Sequence, residues 1–389
     1  MSDNKQVGGP LTGVKVVELS GIGPAPLCCA LLSDMGADII RIDRNTDPGL
    51  GIGRPNATDV TRRGRASVSV DLKSPDGVET VMRLIEQAEA VIDPFRPGVT
   101  ERLGLGPEDC FKRNKKLIYG RMTGWGQDGA LSQAAGHDLN YLAVTGVLNA
   151  IGPKETPVPP LNVVADMGGG AMFLAVGILA GIINARTTGE GQVVDTAMTE
   201  GSAFLGMGMW GLAASDNWVN ERASNVTDGG SHFYRCYKTK DDRFVSIASI
   251  EAKFYAILVD KLGLNLADLP PQMDRSTWPD MVKKFDALFA EKTRDEWCEI
   301  MEGTDICFAP VLDYVEARNH AHNKDRGSYV EVGGVVQPGP APRFSRTPSQ
   351  VQCQPPLIGE NTKEGLRSWG FGEDEVEDLL AKGAVGWKG

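Results

Sequence analysis

Apolar and polar positions along the first 200 residues fall into short blocks whose period switches between that of a strand and that of a helix. Val14–Leu19 (VKVVEL) is a β-branched run that predicts a strand. GIGPAP reads as a turn, Leu27–Met35 as an amphipathic helix ended by Gly36, and Asp38–Ile42 (DIIRI) as a second strand. The unit recurs. VSVDL (68–72) predicts a strand, DGVETVMRLIEQA (76–88) a helix, AVID (90–93) a strand, and KLIYGRMTG (116–124) a strand running into a glycine turn. Strands alternating with helices imply parallel strands with helices outside. The expected fold class is therefore α/β, with a doubly wound, Rossmann-like parallel sheet in a large domain over 1–200.

Beyond about Asp241 the pattern changes. RFVSIAS reads as a strand, and Ala252–Leu262, TWPDMVKKFDALFAEK and RDEWCEIMEG as amphipathic helices. This predicts a smaller α+β domain over 225–330, reached through a linker helix over 201–224. Residues 337–356 hold six prolines, which suits an extended crossover. The stretch 331–389 is then a return to the large domain, closing on the helix EDEVEDLLAKG, acidic at its start and ending in Lys382 and Gly383. Residues 167–185 carry no charge, a length that just spans a bilayer. Five glycines, the polar Asn184 and the isolation of the segment favour a buried core helix and no membrane partner.

Composition narrows the classes. The chain has 389 residues, 41% hydrophobic and 23% charged, an ordinary globular balance that rules out wholesale disorder. Its 40 Lys+Arg against 51 Asp+Glu make it acidic, so no nucleic-acid partner is expected. Seven cysteines, an odd number with no CxxC pair, predict reduced thiols and a cytoplasmic setting. The polar start MSDNKQVGGPLTG and the end AVGWKG carry no recognisable address, which agrees with that setting.

The chemistry is more local. GIGPAP has the first two glycines of a dinucleotide fingerprint, Gly21 and Gly23, with Asp43 about 20 residues on, but Pro26 stands where the third glycine belongs. Basic residues concentrate over 41–121, with 15 Lys+Arg against 12 Asp+Glu, while the remainder has 25 against 39. Arg62, Arg63 and Arg65 in TRRGRAS, with Arg41, Arg44, Arg96 and Arg102 near strand ends or turns, read either as a solvated, salt-bridged face or, taken as a set, as a grip on a polyphosphate. His320 and His322 form an HxH pair without an evident third ligand, so no metal is expected. His137 opens a helix in AGHDLNY beside Asp138. Asp166 ends VVAD before the charge-free helix, where the helix dipole favours its ionised form and nearby N–H groups can receive an oxyanion. Glycines 168–170 leave room for a substrate near that backbone. Met207, Met209 and Trp210 read as ordinary core or as an apolar bed for an acyl chain.

Taken together, these stretches resemble the α-methylacyl-CoA racemases of the family III CoA-transferase superfamily. The likeness runs nearly end to end, through PLTGVKVVELSGIGPAPLCCALLSDMGADIIRIDR, FRPGVTERLGLGP, GRMTGWGQDG, AGHDLNY, PVPPLNVVADMGGGAMFLAVGILA, GEGQVVDTAM, IASIEAKFY and PPLIGENTKEGLRSWGFGEDEVEDLL. The resemblance implies that His137 and Asp166 are the two catalytic bases and that Glu251 holds the histidine. It implies that Ile22, Arg44, Arg63 and Arg102 contact coenzyme A, that coenzyme A is part of a 2-methylacyl-CoA substrate and that no other cofactor is needed. It also implies an interlocked homodimer. The alternative within the superfamily is a CoA-transferase with Asp166 as nucleophile; outside it, a non-catalytic acyl-CoA-binding protein would leave the His, Asp and Glu set without a task.

Overall fold

The computed structural model describes residues 8–46, 49, 51–53 and 55–386. Readings of the two chain ends rest partly on residues 1–7 and 387–389, which lie outside the described residues. The chain divides into two compact units. The larger comprises residues up to 145, 161–205 and those from 325 onward; the smaller comprises 146–160 and 206–324.

In the larger unit the strands are β1 (Lys15–Leu19), β2 (Asp38–Arg44), β3 (Ala66–Val70), β4 (Ala90–Asp93), β5 (Ile118–Thr123) and β6 (Gln192–Ala197). All pair in parallel, in the order β3-β2-β1-β4-β5-β6. Val16 faces Ile39 on one side and Ala90 on the other, so the order reverses beside β1. This is the doubly wound arrangement expected. Helices cover both faces of such a sheet, and the strands accordingly read as continuous apolar runs. All six residues of β5 are buried. Among β1 to β6, only the edge strand β6 escaped the sequence reading; half of QVVDTA is exposed, Asp195 included.

Between the strands run α1 (Pro24–Asp34), α2 (Pro75–Gln87), α3 (Val99–Arg102), α4 (Pro107–Arg113) and α5 (Asp138–Ala143). Helix α1 starts three residues before the expected Leu27. Pro24 and Pro26 occupy its first turn, where no N–H is needed. A π-helix, Val163–Met172, continues into α6 (Phe173–Thr188). This 26-residue rod is long and apolar enough to cross a membrane by composition alone. In the fold it packs on the sheet through Leu174, Ile178, Gly181 and Ile182. A Cβ at Gly181 would stand 2.9 Å from Ile118 and one at Gly177 2.6 Å from Val194, so the glycines bring helix and strands together. Only that face is covered: Val176 is 66% and Ile183 67% exposed. The buried helix expected is thus buried on one side.

The 201–224 stretch, expected as one linker helix, holds the end of α7 (Met198–Leu205) and α8 (Met207–Ala214), broken at Gly206. No residue of α8 is buried, so Met207 and Trp210 are not core. The smaller unit contains an antiparallel sheet of β7 (Tyr234–Lys238), β8 (Phe244–Ala248) and β9 (Phe308–Pro310). Its helices are α9 (Ala252–Lys261), α10 (Trp278–Phe289), α11 (Arg294–Met301), α12 (Tyr314–Ala317) and α13 (Ala321–Asp325), the last ending at the unit's border. Tyr237 stacks on Phe289 at 4.7 Å within an aromatic core that includes Phe233, Phe285 and Trp297. Each such ring fully buried contributes about 1.5–3 kcal/mol.

The return begins with a hairpin, β10 (Tyr329–Val332) and β11 (Val335–Pro338), turned by Gly333 and Gly334 at φ 58° and 76°. The sequence reading expected no hairpin here; the Gly-Gly pair between two β-branched runs is the signal that could have shown it. Helices α14 (Thr362–Ser368) and α15 (Glu373–Ala381) dock in the larger unit, where Leu366, Trp369, Phe371 and Val376 share a core with Val68 and Val70.

Candidate active site

His137 and Asp166 both lie in the larger unit, at the starts of two helical segments in contact. His137 is the N-cap of α5 and is exposed. Its extended backbone (φ −132°, ψ 175°) is fixed by the Asn140 side chain, which accepts the His137 N–H at 3.1 Å. Asp166 stands in the first turn of the π-helix, half-buried. π-Helical segments often accompany functional sites. Asp138, next to His137, accepts the Asp166 backbone N–H on Oδ1 at 2.7 Å and so ties the two segments together.

Burial raises the Asp166 carboxyl above the ordinary aspartate range; the Asn162 amide, which donates to Oδ2 at 3.4 Å, lowers it, the Asp138 charge raises it and His137 lowers it. The helix dipole was expected to favour the ionised form, but desolvation outweighs it. The oxyanion donors expected near Asp166 are also engaged, its own N–H by Asp138 and that of Met167 by the Asn162 carbonyl at 3.2 Å. Glycines 168–170 do not open a path for substrate. A Cβ at Gly169 would meet Ser202 at 2.6 Å and one at Gly170 would meet Pro24 at 2.9 Å, so these glycines admit neighbouring helices.

The wall around Asp166 comes from β1, β5 and their loops. A Cβ at Gly23 would stand 3.3 Å from Asp166 Oδ2, and Gly23 has φ 72°. Neighbouring Ile22 is 44% exposed. Tyr141 packs edge-on against Trp125 at 4.9 Å, and burial followed by the Asp166 charge raises its phenol. The sequence marked Gly23 only as part of a dinucleotide fingerprint and gave Tyr141 no mark, because each meets Asp166 across a long stretch of chain, whereas Asn162, four residues before Asp166, was simply passed over.

The β1–β4 boundary, where the strand order reverses, is where ligands of doubly wound sheets bind. Ile22 follows β1, Arg44 ends β2, and Phe95 follows β4 with its ring 6.0 Å from the Arg44 guanidinium. Arg44 is exposed. Arg102 ends α3 and is exposed; it lines a cavity of about 430 Å³ with Leu72, Lys73, Pro75, Val78, Glu79 and Leu103. Neither His137 nor Asp166 borders that cavity.

Arg63, expected to contact coenzyme A, is otherwise occupied. It is buried and places Nε and Nη2 on Asp34 and Nη1 on Gln337 Oε1 at 2.8 Å and the Pro338 carbonyl at 2.7 Å. Arg65 pairs with buried Glu18 at 2.9 Å, and Arg62 with Asp43 at 3.3 Å. TRRGRAS is therefore a set of buried ion pairs, neither a solvated face nor a polyphosphate grip. The same pairs remove the dinucleotide reading, since Asp43 is held by Arg41, Arg62 and Ser67.

Glu251 belongs to the smaller unit, where it is the exposed N-cap residue of α9. In the HxH pair, His320 Nε2 meets Glu302 at 2.8 Å, and no cluster of metal-binding side chains occurs among the described residues.

Comparison with known proteins adds an independent finding. The model of CoA-transferase family III matches residues 11–362. The chain is 43% identical to the alpha-methylacyl-CoA racemases of Mus musculus and Homo sapiens, covering 95% of this chain and 96% of each relative. The crystal structure of a CAIB/BAIF family protein from Brucella suis has a TM-score of 0.79 at 22% identity, covering 93% of this chain and all of that one.

Proposed function

The chain belongs to CoA-transferase family III, and from that premise we propose that it is an α-methylacyl-CoA racemase acting by two-base proton transfer. The observation that carries the reading is the joining of His137 and Asp166, each at the start of a helical segment, through the Asp138 carboxylate. The near end-to-end identity to racemases supports it.

The α-hydrogen of a thioester is acidic because its enolate is stabilised by the carbonyl. One base removes the proton, and a protonated base on the opposite face returns another, which inverts the carbon. A half-buried carboxyl whose proton affinity is raised suits this exchange with an imidazole. The resemblance to the racemases assigns Glu251 as the residue that holds the imidazole. Coenzyme A is the handle of the substrate. Exposed Arg44 and Arg102 receive its anionic groups, and its remote binding energy positions the reacting carbon. Two side chains complete the proton transfer, so no further cofactor enters; exhaustive dialysis against chelator should leave turnover unchanged.

The active form is a homodimer. The exposed apolar residues Val176, Ile183, Val193 and Phe204 of the larger unit favour a covering partner. Seven free cysteines, none paired among the described residues, favour a reducing, cytoplasmic setting; a fluorescent fusion confined to an organelle would refute it.

The test is loss of an α-deuterium label from each pure 2-methylacyl-CoA enantiomer. His137→Ala and Asp166→Ala should each abolish racemisation and retain slow wash-out of opposite enantiomers. Glu251→Gln should resemble a weakened His137 variant. Wash-out of the same enantiomer by both alanine variants removes the two-base assignment. Normal racemisation in His137→Ala, or activity seen only with an added acceptor acid, brings the CoA-transferase reading forward.

A further inference from the structure

We infer that Asp138 is a positioning residue for the proton transfer: its carboxylate anchors the backbone of Asp166 and sets a negative charge beside that side chain. The inference rests on the proposed role of Asp166 as a base and adds a residue to it.

Asp138 is the first residue of α5 and only 7% exposed. Its Oδ1 accepts the Asp166 N–H at 2.7 Å. Its Oδ2 is buried without a hydrogen-bond partner among the described residues. An unsatisfied buried carboxylate oxygen is costly, because it has given up hydration without gaining a partner. An asparagine or serine would accept the same N–H without bringing a charge into the interior. The fold therefore retains a charge that the hydrogen bond alone does not require. Such exceptions in a native structure call for a functional account.

The account lies in the neighbouring carboxyl. A carboxylate placed beside another in a half-buried site raises that neighbour's affinity for a proton. Burial raises Asp166 first, the Asn162 amide opposes it, and the Asp138 charge raises it again against His137. The elements packed against the π-helix carry other titratable groups: Cys28, Cys29 and Asp34 on α1, Arg186 on α6, Glu200 on α7, Asp195 on β6 and Tyr141 on α5. Of the charged groups near Asp166, Asp138 and His137 are the ones that shift its carboxyl, in opposite directions. In a racemase each base must both release and receive a proton. Transfer is therefore fastest when the carboxyl's proton affinity approaches that of the imidazole. Asp138 moves it in that direction, and its hydrogen bond fixes where the Asp166 side chain leaves the backbone.

Two replacements separate the charge from the bond. Asp138→Asn keeps an acceptor for the Asp166 N–H and removes the charge; Asp138→Ala removes both. Wash-out of α-deuterium is measured from each 2-methylacyl-CoA enantiomer across pH, with thermal unfolding in parallel. For the enantiomer served by Asp166, Asp138→Asn should shift the acid limb of kcat to lower pH and reduce kcat near neutrality roughly three- to tenfold. KM should hold, and the acid limb of the other enantiomer should not move. Asp138→Ala should lower kcat for that enantiomer by roughly a further tenfold, because a displaced base loses its alignment. A wild-type acid limb in Asp138→Asn overturns the inference, as does a loss of thermal stability in either variant with kcat unchanged. Normal racemisation by Asp166→Ala would instead overturn the base assignment beneath it.

Discussion

Replacing Arg63 by alanine should damage folding far more than substrate binding. The Arg63 fork meets Asp34 Oδ2 at 2.5 Å, with the two side chains only 10% and 4% exposed. It also holds Gln337 and the Pro338 carbonyl, at the end of the hairpin's second strand. Removing the arginine leaves the Asp34 carboxylate buried and unpaired, a loss of about 3–5 kcal/mol. That is a large share of the roughly 5–15 kcal/mol that holds a domain folded. At about 2–4 °C per kcal/mol the midpoint should fall by roughly 10 °C. Exposed Arg102 should behave in the opposite way. Arg102→Ala should leave the stability within about 0.5 kcal/mol of wild type. It should raise KM for 2-methylacyl-CoA about tenfold, equivalent to a charge-assisted hydrogen bond of about 1.5 kcal/mol. Scanning calorimetry with initial-rate kinetics on the folded enzyme reads both quantities. The double variant Arg63→Ala/Asp34→Ala should be more stable than the sum of the two single losses predicts, because no unpaired charge remains. An Arg63→Ala protein with a wild-type midpoint and a raised KM would refute the reasoning and return Arg63 to the ligand.

Gly23→Ala should lower kcat at least tenfold while costing only about 1–2 kcal/mol of stability, because φ 72° disfavours a side chain and the new Cβ would stand 3.3 Å from Asp166 Oδ2; unchanged kcat contradicts the placement of Gly23 at the site. Burial lowers the His232 imidazole from 6.5 to about 4, so the unfolded chain takes up its proton first as pH falls. The stability it contributes is whole above pH 6.5 and falls by about 3 kcal/mol as pH drops to 4. In His232→Asn that part of the slope of stability against pH should vanish, and a slope identical to wild type contradicts the assignment. Light scattering should give a mass twice the 41.7 kDa chain; a stable, active monomer would remove the dimer.

The sequence by itself determined strands β1 to β5 and helices α1 and α2 of the larger unit, because each of these is encoded locally. The β-branched runs of β1, β2 and β4, the amphipathic period of α2 and the stop at Gly36 depend on neighbours a few residues away. It also marked His137 and Asp166, since scarce histidine at a helix start and a carboxylate before a charge-free run stand out in one dimension. The exposed edge strand β6 and the break at Gly206 were not visible, since neither departs clearly from its surroundings in polarity. Only the tertiary structure decided what each charged side chain does. Arg44, Arg63 and Arg102 are alike in the chain, yet the fold leaves two in water and joins Arg63 to Asp34 and Gln337, the latter 274 residues away. The role of a charge depends on desolvation and on partners brought together across the chain. For the same reason Asp138 became distinct from other acids only when the fold set its carboxylate against the backbone of Asp166.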